Sequence, residues 1–354
     1  MERKFLLGGV ARNLALSVVG ISALLAADAG AGATQAAEGA VVFMYHRFGE
    51  TKYPPTNIRI EQFEAHIAEI KGGGYTVKPL PEIVQALRAG TKLPDRTVGI
   101  SIDDAFLSVY TEAWPRLKKA GLPFTLFVAT DPVDQGERGF MGWQQIAELA
   151  QSGMVTIGSQ TASHLHMAAS SAARNSADLA KSNARFKAKL GFVPKLIAYP
   201  YGEYSLAVRA VVRAAGFGAG FGQHSGVLHG KSDFYFLPRF AMNETYGDAD
   251  PFRLRVRALP LPVKEVIPAD PLLGPNNNPP PFGFTVIGDA VKGVSRLACY
   301  TAGRAVKTER LGAARIEVRV SRAFPPGRTR INCTIPAANQ RWRWFGMQFY
   351  VPKR

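Results

Sequence analysis

Cysteine is the scarcest informative residue of this chain. Of 354 residues only Cys299 and Cys333 carry a thiol, and both fall in the last sixty or so. Two cysteines allow one disulfide and nothing larger. In an oxidising compartment the expectation is that they pair, closing a loop of roughly 35 residues worth about 3–4 kcal/mol by chain entropy; two buried thiols are the alternative. Acids are also in short supply, with 27 Asp and Glu against 43 Lys and Arg, a formal net charge of +16. Histidine occurs six times, as His46, His66, His164, His166, His224 and His229, so any imidazole chemistry has few candidates. No internal repeat is evident, which sets aside solenoid architectures. The apolar run Leu14 to Ala27 is too short for a comfortable transmembrane helix.

That run has another use. Arg3, Lys4 and Arg12 lie before or at its start, and the small residues Ala29-Gly30-Ala31-Gly32-Ala33 follow it. A basic start, a short apolar stretch and a small-residue exit describe a cleavable signal peptide over 1–36, with an uncleaved anchor as the alternative. The mature protein is therefore expected to be secreted or periplasmic. Charge is uneven along it: from Thr285 onward fourteen Lys or Arg face three acids, Asp289, Glu309 and Glu317, a local net of +11. A basic C-terminal region suits an anionic envelope polymer or a membrane surface, or is simply a soluble surface; export argues against nucleic acid.

Between Ala40 and about Asp250 short apolar runs alternate with amphipathic stretches. Strands are expected at Val41–Tyr45, Val98–Ile102, Phe124–Ala129, Met154–Gly158, Leu196–Tyr199 and Gly216–Phe221, and helices at 61–71, 81–89, 111–120, 143–151, 176–190 and 206–215. Such βα repetition points to a parallel α/β barrel or a doubly wound sheet. The Pro- and Asn-rich stretch Asp270 to Phe284 reads as a connection. Beyond it, β-rich runs such as Arg315-Ile316-Glu317-Val318-Arg319-Val320 alternate polar with apolar residues, as in a small β-sandwich-like module.

Chemistry concentrates at strand ends. Ser101-Ile102-Asp103-Asp104-Ala105 closes an apolar strand with two carboxylates, at the edge where parallel α/β folds place their sites. Two acids there divide naturally into a metal ligand and a proton acceptor, although Asp before a helix also serves as an N-cap.

Four segments in order resemble the NodB-type polysaccharide deacetylases of carbohydrate esterase family four. They are Tyr45-His46; Ser101 to Ala105, similar to [ST]-F-D-D-[GA]; Gln160-Thr161-Ala162-Ser163-His164, similar to H-[ST]-x-x-H; and Ala198-Tyr199-Pro200-Tyr201-Gly202, similar to R-x-P-[FY]-G. The resemblance covers roughly residues 40–245. It implies a deformed (β/α) barrel over 37–250, followed by the connection 251–284 and the basic β-rich module 285–354. It also implies a divalent metal, zinc first with cobalt or nickel as alternatives, which polarises an acetamide carbonyl and activates water. By this resemblance Asp103 is the catalytic base, Asp104 and His164 are metal ligands, and Tyr201 supplies the oxyanion contact. The implied partner is an acetylated polysaccharide, which Tyr45, His46, Trp143, Tyr199 and Pro200 are placed to contact, with Tyr201 and Tyr204 adding aromatic faces.

Two departures matter. Gln160 stands where a metal His is expected, and an amide oxygen is a weak zinc ligand; His166, two residues after His164, is a candidate replacement. His224 follows another expected strand and is a candidate for a ligand or the general acid, with His229 as its alternative. Ala198 replaces the Arg that would pair with the base, and Arg239 in Leu237-Pro238-Arg239-Phe240 is a candidate to approach from another loop. The residues thus allow two functions: a metal-dependent deacetylase, or a catalytically impaired protein of the same fold that binds an envelope polysaccharide. A small amide or a peptidoglycan fragment is a further substrate class. Trp342 and Trp344, two apart on a strand, read as core packing or as a sugar-binding face.

Overall fold

The structure, a computed structural model, describes residues 36–353 apart from residue 38. The expected signal peptide lies, up to residue 35, outside the described residues. Six parallel strands form the frame: β1 (Gly39–Tyr45), β2 (Thr97–Asp103), β3 (Phe124–Val128), β4 (Val155–Ser159), β5 (Leu196–Ala198) and β6 (Ala219–Phe221). Every residue of β1 and β2 is buried. The run of β1 is unbroken by polar residues because both faces are covered, as in parallel sheets flanked by helices, and even the polar Thr97, Ser101 and Asp103 of β2 are buried.

Each strand pairs with its sequence neighbour, β1 with β2 and on to β6. Among these six frame strands every crossover therefore steps the same way, and only the two-residue strand Thr76–Val77 pairs with β2 off that path. That resolves the two expected architectures in favour of a curled, barrel-like sheet and against a doubly wound one. The intervening helices are α1 (Ile60–Gly72), α2 (Leu80–Ala89), α3 (Trp114–Ala120), α4 (Trp143–Gln151), α5 (Ala172–Leu190), α6 (Leu206–Ala214) and α7 (Ala249–Val256). Local sequence sets their ends. The Ser171 hydroxyl accepts from Arg174 N–H to start α5, and Gly191, at φ 82°, ends it in the left-handed turn that glycine favours.

The curl is bridged by Leu237–Ala241. Leu237 pairs with Phe221 of β6, while Phe240 and Ala241 pair with Phe43 and Met44 of β1. Arg239 lies between those contacts and is fully buried.

The C-terminal part is β-rich. Its strands are β7 (Val263–Ile267), β8 (Phe282–Val286), β9 (Ala298–Thr301), β10 (Arg304–Val306), β11 (Thr308–Leu311), β12 (Arg315–Val318), β13 (Gly327–Pro336) and β14 (Trp342–Val351). They make two sheets, one ordered β7-β8-β12-β11 and the other Leu259–Pro260, β14, β13, β9, β10. The stretch read as a connection, 251–284, is more ordered than its composition suggests: most of α7, Leu259–Pro260, β7 and the start of β8 fall within it, because its apolar residues complete sheet edges. Cys299 and Cys333 face each other on β9 and β13 and are joined as a disulfide. One buried apolar cluster runs from Ile197, Tyr199 and Val208 of the barrel into Phe282, Phe284, Ile316, Ile331 and Phe349, and Gln35–Arg354 forms a single compact unit.

Candidate active site

The C-terminal ends of β1, β2, β4 and β5 deliver His46, the Asp103–Asp104 pair, the Gln160–His164 loop and the Pro200–Tyr201 turn. The backbone is unusual at these points. Asp104 (φ 77°), Ala105 (52°), Thr161 (69°), His164 (52°) and Tyr201 (59°) all adopt left-handed conformations without being glycine. Such residues carry about 1–3 kcal/mol of strain each and cluster where surrounding structure fixes a working geometry.

Asp103 ends β2 at the barrel centre and is fully buried. Arg239 meets it in a bidentate pair, Nη1 to Oδ1 at 2.7 Å and Nη2 to Oδ2 at 2.9 Å, with both side chains at 0% exposure. Two further donations, to Ser101 Oγ at 3.1 Å and Gly222 O at 3.0 Å, fix the guanidinium. The charge lost with Ala198 is thus restored from the bridging segment Leu237–Ala241. His46 Nε2 lies 3.9 Å from Asp103 Oδ2, the oxygen that also accepts from Arg239 Nη2.

Asp104 turns away from Asp103. Its Oδ1 lies 3.3 Å from His164 Nε2, yet that oxygen has no hydrogen-bond partner among the described residues. Two acceptor atoms held close without a hydrogen bond suit a shared cation: adjacent ligands on a zinc tetrahedron with bonds of about 2.0–2.1 Å stand about 3.3–3.4 Å apart. Burial pushes the Asp104 carboxyl up, but contact with His164 and the charge of His46 outweigh it and leave the group below the usual carboxylate range.

Gln160 does not complete the set. It is fully buried, and its Oε1 accepts the Asp104 N–H at 3.0 Å, a donor shared with Phe127 O. Only the oxygen can face that donor, so the orientation of the amide is fixed. Nε2 is left without an acceptor among the described residues. Where a third metal ligand would offer a lone pair, this chain presents an N–H₂. His166 does not replace it: its Nδ1 sits 2.9 Å from the buried Glu203 carboxylate and its ring stacks on Tyr201 at 4.2 Å. No group of three His, Cys, Asp or Glu is arranged to hold a metal among the described residues. The residues present fit a divalent ion at two corners, Asp104 and His164, and Gln160 and His166 are corrected as ligands.

The Tyr201 ring packs edge-on to His164 at 4.5 Å. The hydrogen bonds of its turn run from Gly202 N–H to Tyr199 O and from Glu203 N–H to Pro200 O, and the Tyr201 N–H takes no part in them. Other expected site residues lie elsewhere. Tyr45 is buried, donating its hydroxyl to His66 Nδ1, since His66 Nε2 must carry the proton given to Gly247 O. Tyr199 is buried and donates to Tyr235 O. Trp143 gives its N–H to Asp134 and packs on Phe186. Tyr45 and Tyr199 are corrected as substrate contacts because their polar ends are already satisfied inside the protein, whereas Trp143 is only half-buried. Pro200 is buried too, shaping the Tyr201 turn. His224 is corrected as a catalytic acid: burial, with Arg330 and Arg239 nearby, pushes its pKa down to about 3, and it packs on Phe236 in a cavity also lined by Tyr204 and Trp344. His229 pairs with Gly39 at the opposite end of β1. Trp344 packs edge-on to Phe240, so the core reading holds for it.

An acid–base site thus lies at the rim of the curled parallel barrel, one carboxylate clamped by arginine and another paired with histidine. The chain matches the polysaccharide deacetylase family model over residues 90–220. It is 28% identical over 215 residues to a poly-β-1,6-N-acetyl-D-glucosamine N-deacetylase of Staphylococcus aureus (strain MSSA476), covering 57% of this chain and 73% of that one. Among solved structures it is similar to IcaB from Ammonifex degensii, with 26% identity and a TM-score of 0.56 over 62% of this chain and 98% of that one. The fold is shared also with the Streptococcus pyogenes deacetylase PplD in complex with acetate, at TM-score 0.57 and 19% identity, again over 62% and 98%.

Proposed function

We propose that this chain is an exported, metal-dependent deacetylase that hydrolyses acetamide groups of an N-acetylated polysaccharide. The observation carrying the proposal is the arrangement of Asp103 on Arg239 beside Asp104 and His164. Asp103 is the general base: the guanidinium holds it in place inside the barrel and leaves its outer lone pairs free to take a proton from water. Asp104 and His164 would hold a divalent ion, zinc or in its place cobalt or nickel, which would supply Lewis acidity toward the acetyl oxygen and toward water. The Tyr201 N–H is the donor for the oxyanion that forms as water adds to the acetyl carbon. His46, not His224, is the group within reach to protonate the departing amine, so that C–N cleavage yields acetate and a free amine. The basic start and apolar run of 1–36 support export to the periplasm or beyond, and the +11 C-terminal region supports contact with an anionic envelope polymer.

The Staphylococcus aureus relative acts, by its name, on poly-β-1,6-N-acetyl-D-glucosamine, and that glycan is the first substrate to test. Acetate release should be measured on mature protein supplied with zinc, cobalt or nickel, comparing wild type with Asp103→Asn. Release abolished by the substitution supports the reading; no release from this or other acetylated glycans overturns it. The donor that Gln160 turns toward the site favours one second reading, a glycan-binding protein with its chemistry lost. Binding that is unaffected by Asp103→Asn, without acetate release, is its signature.

A further inference from the structure

The β13–β14 ribbon lies directly under two loops of the barrel site. On β14, Gly346 packs against Ser225 O so closely that a Cβ there would stand 2.2 Å from it, and the buried Gln348 donates Nε2–H to Tyr201 O at 3.0 Å. On β13, Arg330, which pairs in register with Gln348, donates to Gln223 O at 2.9 Å. Arg328 places its guanidinium 5.1 Å over the Tyr201 ring and 3.8 Å from the Glu203 carboxylate. One face of the ribbon thus touches the Tyr201–Glu203 turn and the Gln223–Ser225 loop together.

Gln348 is the telling residue. Its strand neighbours Met347 and Phe349 are buried apolar side chains, and its own Oε1 has no partner among the described residues. A buried amide with one end unsatisfied is a poor device for stability, since an apolar side chain of similar size would remove that penalty. It does hold the carbonyl of a residue whose left-handed backbone, φ 59° and ψ 5°, needs its surroundings to fix it. We infer that the C-terminal β region is a working wall of the deacetylase site. Gln348 is a positioning residue that holds the Tyr201–Gly202 peptide, and so restrains the left-handed turn at Tyr201 from which the N–H on the other side of the Tyr201 Cα is presented, and Arg328 clamps the Tyr201 ring from above. The inference rests on the deacetylase reading given above.

The test replaces Gln348 with Met, similar in length but unable to donate. The expected result is a thermal midpoint equal to or above wild type, while kcat for acetate release falls tenfold or more with KM nearly unchanged, the pattern of an interaction used in the transition state. Amide hydrogen exchange over residues 199–203 is measured in parallel and should speed up in the variant whether or not the substrate chosen is the right one. Arg328→Ala, at an exposed side chain, should lower kcat severalfold, with Arg328→Lys recovering part of it; this pair decides the matter if Gln348→Met folds poorly. Unchanged exchange and unchanged kcat in a folded Gln348→Met protein overturn the inference. Wild type without any acetate release overturns the deacetylase reading instead.

Discussion

Replacing Arg239 with Met probes the centre of the site. Asp103 and Arg239 are both at 0% exposure, and the arginine gives the acid two hydrogen bonds of 2.7 and 2.9 Å. Removing one member of a buried pair strands the other charge and costs about 3–5 kcal/mol. At about 2–4 °C per kcal/mol the midpoint should drop by roughly 6–20 °C at pH 7. Calorimetry of Arg239→Met, Asp103→Asn and the double variant separates the effects, because removing the stranded charge should raise the midpoint of the double variant above that of Arg239→Met. A single variant that melts within a degree or two of wild type, or a double variant no better than the single, refutes the reasoning.

Gln160→His should offer a lone pair where the amide now offers a donor, and tighten zinc binding roughly tenfold or more; metal analysis after dialysis reads this, and unchanged affinity refutes the assigned amide orientation. Stability should fall as pH drops below about 6.5: burial first holds His66 and His229 at about 4 and His224 at about 3, so the unfolded chain binds protons that the native one does not. A thermal midpoint that stays flat between pH 7 and pH 5 would contradict those buried neutral rings.

The frame was readable because its signals are local. Unbroken apolar runs such as Val41–Tyr45 and helices ending at Gly90 or Gly191 announce a parallel α/β fold from a few residues each. The paired acids, His164 and Tyr201 stood out for the same reason, being at strand ends. What escaped depends on contacts distant in sequence. Strand parity sends Tyr45 into the core and leaves His46, its neighbour, beside Asp103. The role of Gln160 turns on which end of its amide meets the Asp104 N–H, which no motif spells out. Gln348 sits 147 residues from Tyr201 inside an apolar strand and gives no local sign of its use.

Thr161 shows where folding and working pull apart. It is β-branched yet left-handed at φ 69°, it is fully buried, and its hydroxyl finds no partner among the described residues. Each of these disfavours threonine there, and glycine would relieve all three. The residue lies between Gln160 and His164 without contributing a ligand or a proton itself. One position inside this loop is therefore open to thermostabilising exchange, whereas the adjacent amide holds the Asp104 N–H and the imidazole three residues on faces the Asp104 carboxylate.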